Sequence, residues 1–290
     1  MTQLTAVNAA DLFRAEPHDY IPVSTGEVAY RRVGSGPDVL FVHGWPVSGA
    51  TYRTLLPYLA EHVTCHLIDL PGTGSSRFTT DEQISLSTHI EAVRAVVDYL
   101  ELDDVAVVGH DSGGLIARHA MAGDSRLRAL GLIDTEQPQG LSWRFKSFLY
   151  GSKLPGFGAI FGWLSGSPKI RRNGLAFGKV FHDKDLLDGE FDEFFLQTLA
   201  NDAPRLTAAT TTIRSFEVDY VTRLEALHGQ IDVPTVLVWG ERDAFFPRRW
   251  AEEMAGQFPN AHLEVIDGAG LFSHEERPKA VAEALLPVLR

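Results

Sequence analysis

One hexapeptide, GHDSGG at 109–114, carries residue types that could perform nucleophilic chemistry. It follows a short apolar run and precedes a helical pattern, so it is predicted to be a strand-turn-helix. Such a turn needs small residues two places before and two places after its apex, because the apex is strained and the helix packs closely. Gly109 and Gly113 fill those places only if Asp111 is the apex. The spacing favours Asp111 over Ser112 as nucleophile, with an N-capping aspartate as the structural alternative.

An aspartate nucleophile divides the predicted chemistry into two half-reactions. A carboxylate can attack without a base, whereas a serine hydroxyl needs one. Asp111 could therefore open an epoxide or displace a halide, and it would then carry an alkyl ester. Release of that ester requires water activated by a base, usually a histidine that an acid orients.

The elements that must position this turn are short, continuous apolar runs alternating with amphipathic stretches. The runs lie at 39–42, 65–68, 105–108, 130–133, 235–239 and 263–266. Continuous apolar runs are typical of strands covered on both faces, as in a parallel sheet. An amphipathic helix is predicted over 84–100, and a last helix near Ser273, with Ser273 as N-cap and Glu276 as its capping-box partner. The pattern predicts a doubly wound, mostly parallel α/β sheet with functional sites at the carboxyl ends of its strands.

One segment interrupts this alternation and divides the chain. Residues 1–136 and 231–290 are predicted to form the α/β core, and residues 137–230 a helical insertion. The insertion holds ten of the seventeen phenylalanines, together with Trp143 and Trp163. We interpret it as a lid over an apolar pocket, with about a third of these rings reaching the pocket. A helical insertion with its own core is the alternative interpretation.

Five motifs together resemble the α/β-hydrolase fold family, and within it the aspartate-nucleophile branch of epoxide hydrolases and haloalkane or haloacid dehalogenases. They are HGWP at 43–46, DLPGTGSS at 69–76, GHDSGG at 109–114, WGERD at 239–243 and GAGLFSHEERP at 268–278. The resemblance covers nearly the whole chain from about residue 20. It implies that the backbone N–H groups of Trp45 and Ser112 form an oxyanion hole. It also implies that His43 shapes this substrate-binding loop, as a structural hydrogen-bonding residue rather than a proton shuttle.

The same resemblance identifies the remaining catalytic positions and one departure from them. Asp243 matches the acid of the triad, and Asp134 matches the alternative acid position of some dehalogenases, although either could be a turn aspartate. The catalytic histidine belongs at position 271, where this chain has Leu271. Ester hydrolysis is therefore expected to be slowed by orders of magnitude, through natural loss of the base or a deliberate substitution that traps the ester. His274 is a candidate replacement base, but its HEERP segment is common in the family alongside the catalytic histidine.

The substrate is expected to be a small apolar molecule, and the first interpretation is an epoxide. Epoxide hydrolases polarise the ring oxygen with lid tyrosines, for which the insertion offers Tyr150 and Tyr220, each equally able to be a core ring. A dehalogenase is the second interpretation. Dehalogenases often bind halide through a ring or guanidinium N–H of the residue after the nucleophile, and that residue here is Ser112. The halide would therefore have one indole donor, from Trp45. A non-hydrolytic or ligand-binding member of the fold is a further alternative, because fold alone does not fix function.

Composition narrows the expected partners and environment. A formal net charge of −12 argues against nucleic acid or an anionic membrane as partner. The N-terminus lacks the pattern of a signal peptide, and no apolar run approaches the length of a membrane span, so a cytoplasmic location is expected. The one cysteine, Cys65, excludes an internal disulfide and is predicted to be a small core residue. No cofactor and no metal are expected.

Overall fold

The computed structural model describes residues 4–78, 84–174 and 176–290, and its centre is a single sheet. The strands found there are β1 (Asp19–Val23), β2 (Gly26–Gly34), β3 (Asp38–Val42), β4 (Thr64–Asp69), β5 (Arg77–Phe78), β6 (Val105–His110), β7 (Leu127–Ile133), β8 (Thr235–Gly240) and β9 (Ala261–Ile266). Their order is β1-β2-β4-β3-β6-β7-β8-β9, and β5 pairs with β2. The six strands from β4 to β9 in this order pair in parallel, whereas β1, β2 and β5 pair antiparallel at one edge.

The six predicted apolar runs are confirmed as the six parallel strands. Alternate residues of β3 enter opposite cores: Val39 and Phe41 join one hydrophobic cluster, and Leu40 and Val42 join the other. Burial on both faces explains why the runs inside the sheet are apolar throughout, whereas β9, at the edge of the sheet, has Glu264 exposed. The antiparallel edge was not predicted, because β1 and β2 include exposed polar residues and β5 has only two residues.

Helices cover both faces of the sheet. In chain order they are α1 (Ala6–Arg14), α2 (Leu56–Leu59), α3 (Leu86–Tyr99), α4 (Ser112–Met121), α5 (Trp143–Ser152), α6 (Phe157–Ser165), α7 (Pro168–Arg171), α8 (Gln197–Asn201), α9 (Ala203–Arg214), α10 (Asp219–Thr222), α11 (Leu224–His228), α12 (Arg248–Ala255), α13 (Ser273–Glu276) and α14 (Pro278–Leu289). Helices α1, α2 and α14 cover one face, and α3, α4 and α12 cover the other. This is the predicted doubly wound α/β architecture.

The chain between β7 and β8 forms the helical insertion, which contains helices α5 to α11. Its described residues contribute no strand to the sheet, and a lone bridge pairs Gln137 with Gly140. The insertion also contains a 3-10 turn at Lys184–Leu187 and a π-helical turn at Asp192–Leu196. Its rings pack into the same hydrophobic cluster as α3, α4 and α12, so the insertion and the sheet share a core.

The predicted capping box at the last helix is wrong. Helix α13 is preceded by Phe272, and the Ser273 hydroxyl donates to Asp134 Oδ2 at 2.5 Å instead of capping the helix. The Glu276 carboxylate accepts from the backbone N–H of Asp183 at 2.7 Å. Both side chains are thus used in tertiary contacts, which local sequence cannot show.

Two bulk predictions can be compared with the structure. Cys65 is fully buried in β4, and burial raises the pKa of its thiol to about 12, as expected for an inert core residue. Every helix of the described residues is too short or too polar to span a bilayer.

Candidate active site

Asp111 occupies a strained turn between β6 and α4. Its φ of 51° and ψ of −135° lie in a region that side-chain-bearing residues rarely adopt. The backbone N–H of Asp111 donates a hydrogen bond to the carbonyl oxygen of Asp134 at 3.1 Å, which stabilises the turn. A residue kept in such a conformation by its surroundings is typical of functional sites. The structure therefore places Asp111 at the apex, as the glycine spacing predicted.

The glycines beside the apex have no room for a side chain. A Cβ at Gly109 would lie 2.6 Å from the carbonyl oxygen of Gly113, and one at Gly113 would lie 2.1 Å from that of Val42. Both distances are far below van der Waals contact. The helix can approach the sheet this closely only because these two residues are glycines.

The substitution Gly113→Ala is expected to destabilise the fold markedly. Because the clash is with backbone, relief requires movement of α4 or β3, at a cost of about 1–3 kcal/mol or more. Gly151→Ala is the matched control, since a Cβ there meets nothing within 4 Å and lies in α5. Denaturant or thermal unfolding should give Gly113→Ala the lower midpoint. Equal midpoints for the two variants would contradict the packing described here.

Backbone N–H groups stabilise the Asp111 carboxylate. The N–H of Trp45 donates to Asp111 Oδ2 at 3.0 Å, and the N–H of Ser112 also stabilises the negative charge. A Cβ at Gly44 would lie 2.5 Å from Asp111 Cβ, so the loop after β3 reaches the carboxylate only because Gly44 is small. These are the two N–H groups that the sequence predicted for an oxyanion hole, and they could hold a developing oxyanion.

The indole of Trp45 ties this loop to the helical insertion. Its Nε1–H donates to the carbonyl oxygen of Ala209 in α9 at 2.8 Å. Its ring packs on Phe148 and Phe161, with centroids 5.1 and 5.2 Å away. The expected indole donor to a halide is therefore already used within the protein.

A cavity of about 300 Å³ lies between Asp111 and the helical insertion. Besides Asp111, its wall includes Trp45, Ser112, Glu136 and Leu271. Eight of the ten phenylalanines of the insertion line it, not the third that was predicted: 145, 148, 157, 161, 177, 191, 195 and 216. The cavity thus places the Asp111 carboxylate in mostly apolar surroundings, with Glu136 and Arg144 as the other charged residues of its described wall.

No histidine among the described residues lines this cavity. Leu271, at the expected position of the base, is part of the cavity wall and is 6% exposed. Its backbone carbonyl accepts a hydrogen bond from Nε2 of His110 at 2.9 Å. The side chain that faces Asp111's cavity from this loop therefore cannot take a proton.

His274 does not take over the missing position. It is fully buried away from the cavity, with Nε2 2.8 Å from the Thr51 hydroxyl and its ring 4.4 Å from that of His110. Burial, the neighbouring His110 and the charge of Arg53 hold its pKa well below the usual range. His274 is a neutral packing residue here, as its common HEERP context suggested.

His43 serves the loop rather than the cavity. Its Nδ1–H donates to the carbonyl of Gly44 at 2.9 Å, and its Nε2 accepts from the N–H of Leu70 at 2.9 Å. Burial lowers its pKa, so the ring stays neutral in this role. The structure brings His43 to the loop that carries Trp45 but not to the wall of the large cavity.

The two candidate acids, Asp134 and Asp243, are absent from the described cavity wall and interact electrostatically. Asp134 is fully buried and accepts from the N–H of Gly240 at 2.7 Å and from Ser273. Asp243 accepts through Oδ1 from the N–H of Phe245 at 2.6 Å, while its buried Oδ2 has no hydrogen-bond partner. Burial raises the pKa of Asp243 to about 7, and burial with the charge of Asp243 raises that of Asp134. Asp243 thus keeps a free acceptor, whereas both oxygens of Asp134 are used.

The structure does not bring the two lid tyrosines to the cavity, which corrects that expectation. Tyr150 is 61% exposed on the outer side of α5, because the helical phase turns Phe145 and Phe148 inward instead. Tyr220 packs edge-on against His119 at 5.3 Å and lies outside the cavity wall. Neither hydroxyl can polarise a substrate held at Asp111.

One functional candidate was missed by the sequence analysis. Glu136 is 1% exposed, lies two residues beyond Asp134 and lines the cavity with Asp111. Burial raises the pKa of Glu136. Burial, with the negative charge of Glu136 as the next cause, raises the pKa of Asp111 well above its usual range. The position of Glu136 just beyond the carboxyl end of β7 could have indicated a site residue. The sequence analysis chose Asp134 instead because Asp134 directly follows the strand.

This chain belongs to the alpha/beta hydrolase fold family, whose profile matches residues 37–278. It is 26% identical over 250 residues to the uncharacterized hydrolase YugF of Bacillus subtilis, covering 86% of this chain and 88% of the relative. It is 28% identical over 259 residues to a pimeloyl-[acyl-carrier protein] methyl ester esterase of Xanthomonas campestris pv. campestris, covering 87% and 95%. Membership identifies the chain as a hydrolase-family protein and leaves its bond specificity open.

Solved structures show the same fold. An alpha/beta hydrolase fold protein from Burkholderia ambifaria superposes with a TM-score of 0.78 at 23% identity, over 94% of this chain and 98% of the other. The epoxide hydrolase CorEH without ligand gives a TM-score of 0.77 at 22% identity, over 93% and 97%. Likeness at these identities establishes the architecture.

Proposed function

We propose that this protein opens a small apolar epoxide by attack of Asp111, forming an alkyl ester on that residue. The observation that carries the proposal is the Asp111 carboxylate itself, held by the N–H of Trp45 at 3.0 Å and facing an apolar cavity. One carboxylate oxygen is fixed by backbone donors, which leaves the other to attack. The absence of an imidazole from the described cavity wall does not hinder this step, since an ionised carboxylate needs no base.

The ester's second half-reaction follows from the same geometry. Water must attack the carbonyl carbon of the ester, and the N–H groups of Trp45 and Ser112 would stabilise the resulting oxyanion. Leu271 supplies no base for that water. Release is therefore slower than in a site with an imidazole, unless another group removes the proton.

Two features favour an epoxide over a haloalkane. A departing halide needs N–H donors in the cavity, and the indole of Trp45 is committed to Ala209. The guanidinium of Arg144 also lines the cavity, and its Nη1–H donates to the carbonyl oxygen of Gly174 at 2.8 Å. The residue after the nucleophile, Ser112, carries no N–H on its side chain. An epoxide needs only one proton for its ring oxygen, so its opening demands fewer donors than release of a halide.

A labelling experiment tests the proposal. With styrene oxide in H₂¹⁸O under single-turnover conditions, ¹⁸O should enter Asp111 and not the diol, because water attacks the ester carbonyl. Peptide mass spectrometry locates the label, and intact mass shows any ester that persists. ¹⁸O in the diol with unlabelled Asp111 would mean direct attack by water and would overturn the proposal.

A ligand-binding role is the second candidate function, and the cavity wall without an imidazole favours it. It predicts saturable binding of apolar molecules, seen as quenching of tryptophan fluorescence from Trp45, with neither adduct nor diol. The same epoxide incubation separates the two functions.

A further inference from the structure

Glu136 places a second carboxyl group on the wall of the cavity that holds Asp111. The residue is 1% exposed, and its Oε1 atom has no hydrogen-bond partner. A buried polar atom without a partner is rare, and here it belongs to a residue that lines the space a substrate would fill. The protein covers Oε1 in this structure, so a ligand reaches it only after rotation of the Glu136 side chain.

Thr135 links the two acids and indicates the protonation state of Glu136. Its hydroxyl oxygen lies 2.7 Å from the backbone carbonyl oxygen of Asp111 and 3.1 Å from Glu136 Oε2. It also accepts a hydrogen bond from Arg118 Nη2 at 3.0 Å. A hydroxyl has one hydrogen to donate, and the shorter contact takes it. Glu136 Oε2 then needs a proton of its own to bond with Thr135.

Arg118 does not neutralise Glu136 by direct contact. Its guanidinium donates to the carbonyl oxygens of Gly114 at 2.9 Å and Glu136 at 2.8 Å, and also contacts His228 and Met254. No ion pair of the described residues joins it to a carboxylate. Its charge therefore acts on Glu136 only through space.

The two carboxyl groups differ in what stabilises their charge. Asp111 has the N–H groups of Trp45 and Ser112 and stands at the N-terminus of α4. Glu136 has its own backbone N–H and the through-space charge of Arg118. Neighbouring carboxylates in an apolar site cannot both ionise readily, so we assign the negative charge to Asp111 and the proton to Glu136.

We infer that Glu136 is the acid and base of the reaction at Asp111, in place of the lid tyrosines and the imidazole. This assignment rests on the proposed function. In the first step, an Asp111 oxygen bonds to an epoxide carbon, the ring C–O bond breaks, and the released oxygen takes the proton of Glu136. Glu136 is then a carboxylate, and the product is a hydroxyalkyl ester of Asp111.

In the second step the Glu136 carboxylate takes a proton from water, and the water oxygen attacks the carbonyl carbon of the ester. The oxyanion forms at the N–H groups of Trp45 and Ser112. Its collapse breaks the acyl C–O bond, and the leaving alkoxide takes the proton back from Glu136. Asp111 is left as a carboxylic acid that carries the second proton of the water, and it passes this proton to the Glu136 carboxylate. The products are a diol, the Asp111 carboxylate and protonated Glu136, so the cycle consumes one epoxide and one water.

The test compares Glu136→Gln with the wild-type protein, and styrene oxide is the probe. The readouts are the rate of diol formation and the intact mass of the protein. Glutamine keeps the size of the side chain but cannot transfer a proton. We expect wild-type protein to form diol without accumulating adduct, and Glu136→Gln to slow at least about 100-fold and accumulate an Asp111 ester. Glu136→Asp should recover part of the rate, and Glu264→Gln, at an exposed residue of β9, should match wild type.

Two further readouts separate chemistry from structure. Adding Leu271→His to Glu136→Gln should discharge the ester and restore diol formation, because an imidazole replaces the lost base. The wild-type rate should also fall at low pH, where Asp111 is protonated, and at high pH, where Glu136 ionises. Besides burial, which raises both pKa values, the charge of Asp243 raises the pKa of Asp111 through space, and the charge of Arg118 lowers the pKa of Glu136. Glu136→Gln should lose the high-pH fall.

Three outcomes overturn the assignment. Glu136→Gln with a rate within about 3-fold of wild type would show that Glu136 transfers no essential proton. A stable ester on wild-type protein would show that no base is present, while upholding Asp111 as nucleophile. Neither adduct nor diol with any variant would overturn the proposed function, and the role of Glu136 with it.

Discussion

Asp111→Asn should abolish ester formation on exposure to epoxide, with a loss of at least about 10⁴-fold, and should unfold at a higher midpoint than wild type. Asparagine fits the same turn and keeps an oxygen for the Trp45 N–H, but it carries no charge to attack with. It also removes a buried carboxylate, whose burial is the main cause of the raised pKa of Asp111. Loss of activity with gain of stability is typical of residues held for function.

Ser112→Ala is the matched control for this prediction. The N–H group that Ser112 contributes belongs to the backbone and survives the substitution. Ester formation, followed by intact mass, should therefore persist in Ser112→Ala. A reversed result, with adduct in Asp111→Asn and none in Ser112→Ala, would transfer the nucleophile to the serine.

Asp243→Asn should change how stability depends on pH. Burial raises the pKa of Asp243 from 3.8 to about 7, so the folded protein keeps a proton there that the unfolded chain releases. Wild type should thus lose stability as pH rises from about 4 to 7, and stay at the lower level above that. Asparagine cannot ionise, so the variant should be more stable at pH 8 by about 2 kcal/mol, after the cost of an unpaired amide.

Urea unfolding at pH 5 and pH 8 measures this effect. The difference between variant and wild type should grow with pH, while Asp103→Asn, at an exposed loop residue, should change neither value. A variant equally stable relative to wild type at both pH values would show that Asp243 is already ionised at pH 5.

The sequence allowed the parallel sheet and the strained turn at Asp111 to be predicted for a shared physical reason. Strands buried on both faces must be apolar throughout, and a strained turn packed against a helix must be flanked by glycines. Both requirements act on neighbouring residues, so they are visible in local spacing. Gly113, whose Cβ would lie 2.1 Å from the Val42 carbonyl oxygen, shows how strict the second requirement is.

What the sequence could not predict depends on contacts between distant segments. Ser273 looked like a helix cap and instead binds Asp134, 139 residues away. Tyr150 looked able to reach the cavity, but the phase of α5 turns it to solvent. Glu136 carries no motif, and its place in the cavity wall depends on the rings of the helical insertion that line the same cavity. Such roles are set by tertiary packing.

The hydrogen bond from the Trp45 indole to Ala209 has a consequence for the timing of the reaction. Trp45 supplies a backbone donor to Asp111 and, through its side chain, holds α9 over the cavity. Any outward movement of α9 that admits substrate must break that bond and release the loop. If substrate enters by such a movement, we expect loading and attack to belong to different conformations, with attack at Asp111 only after the protein has closed.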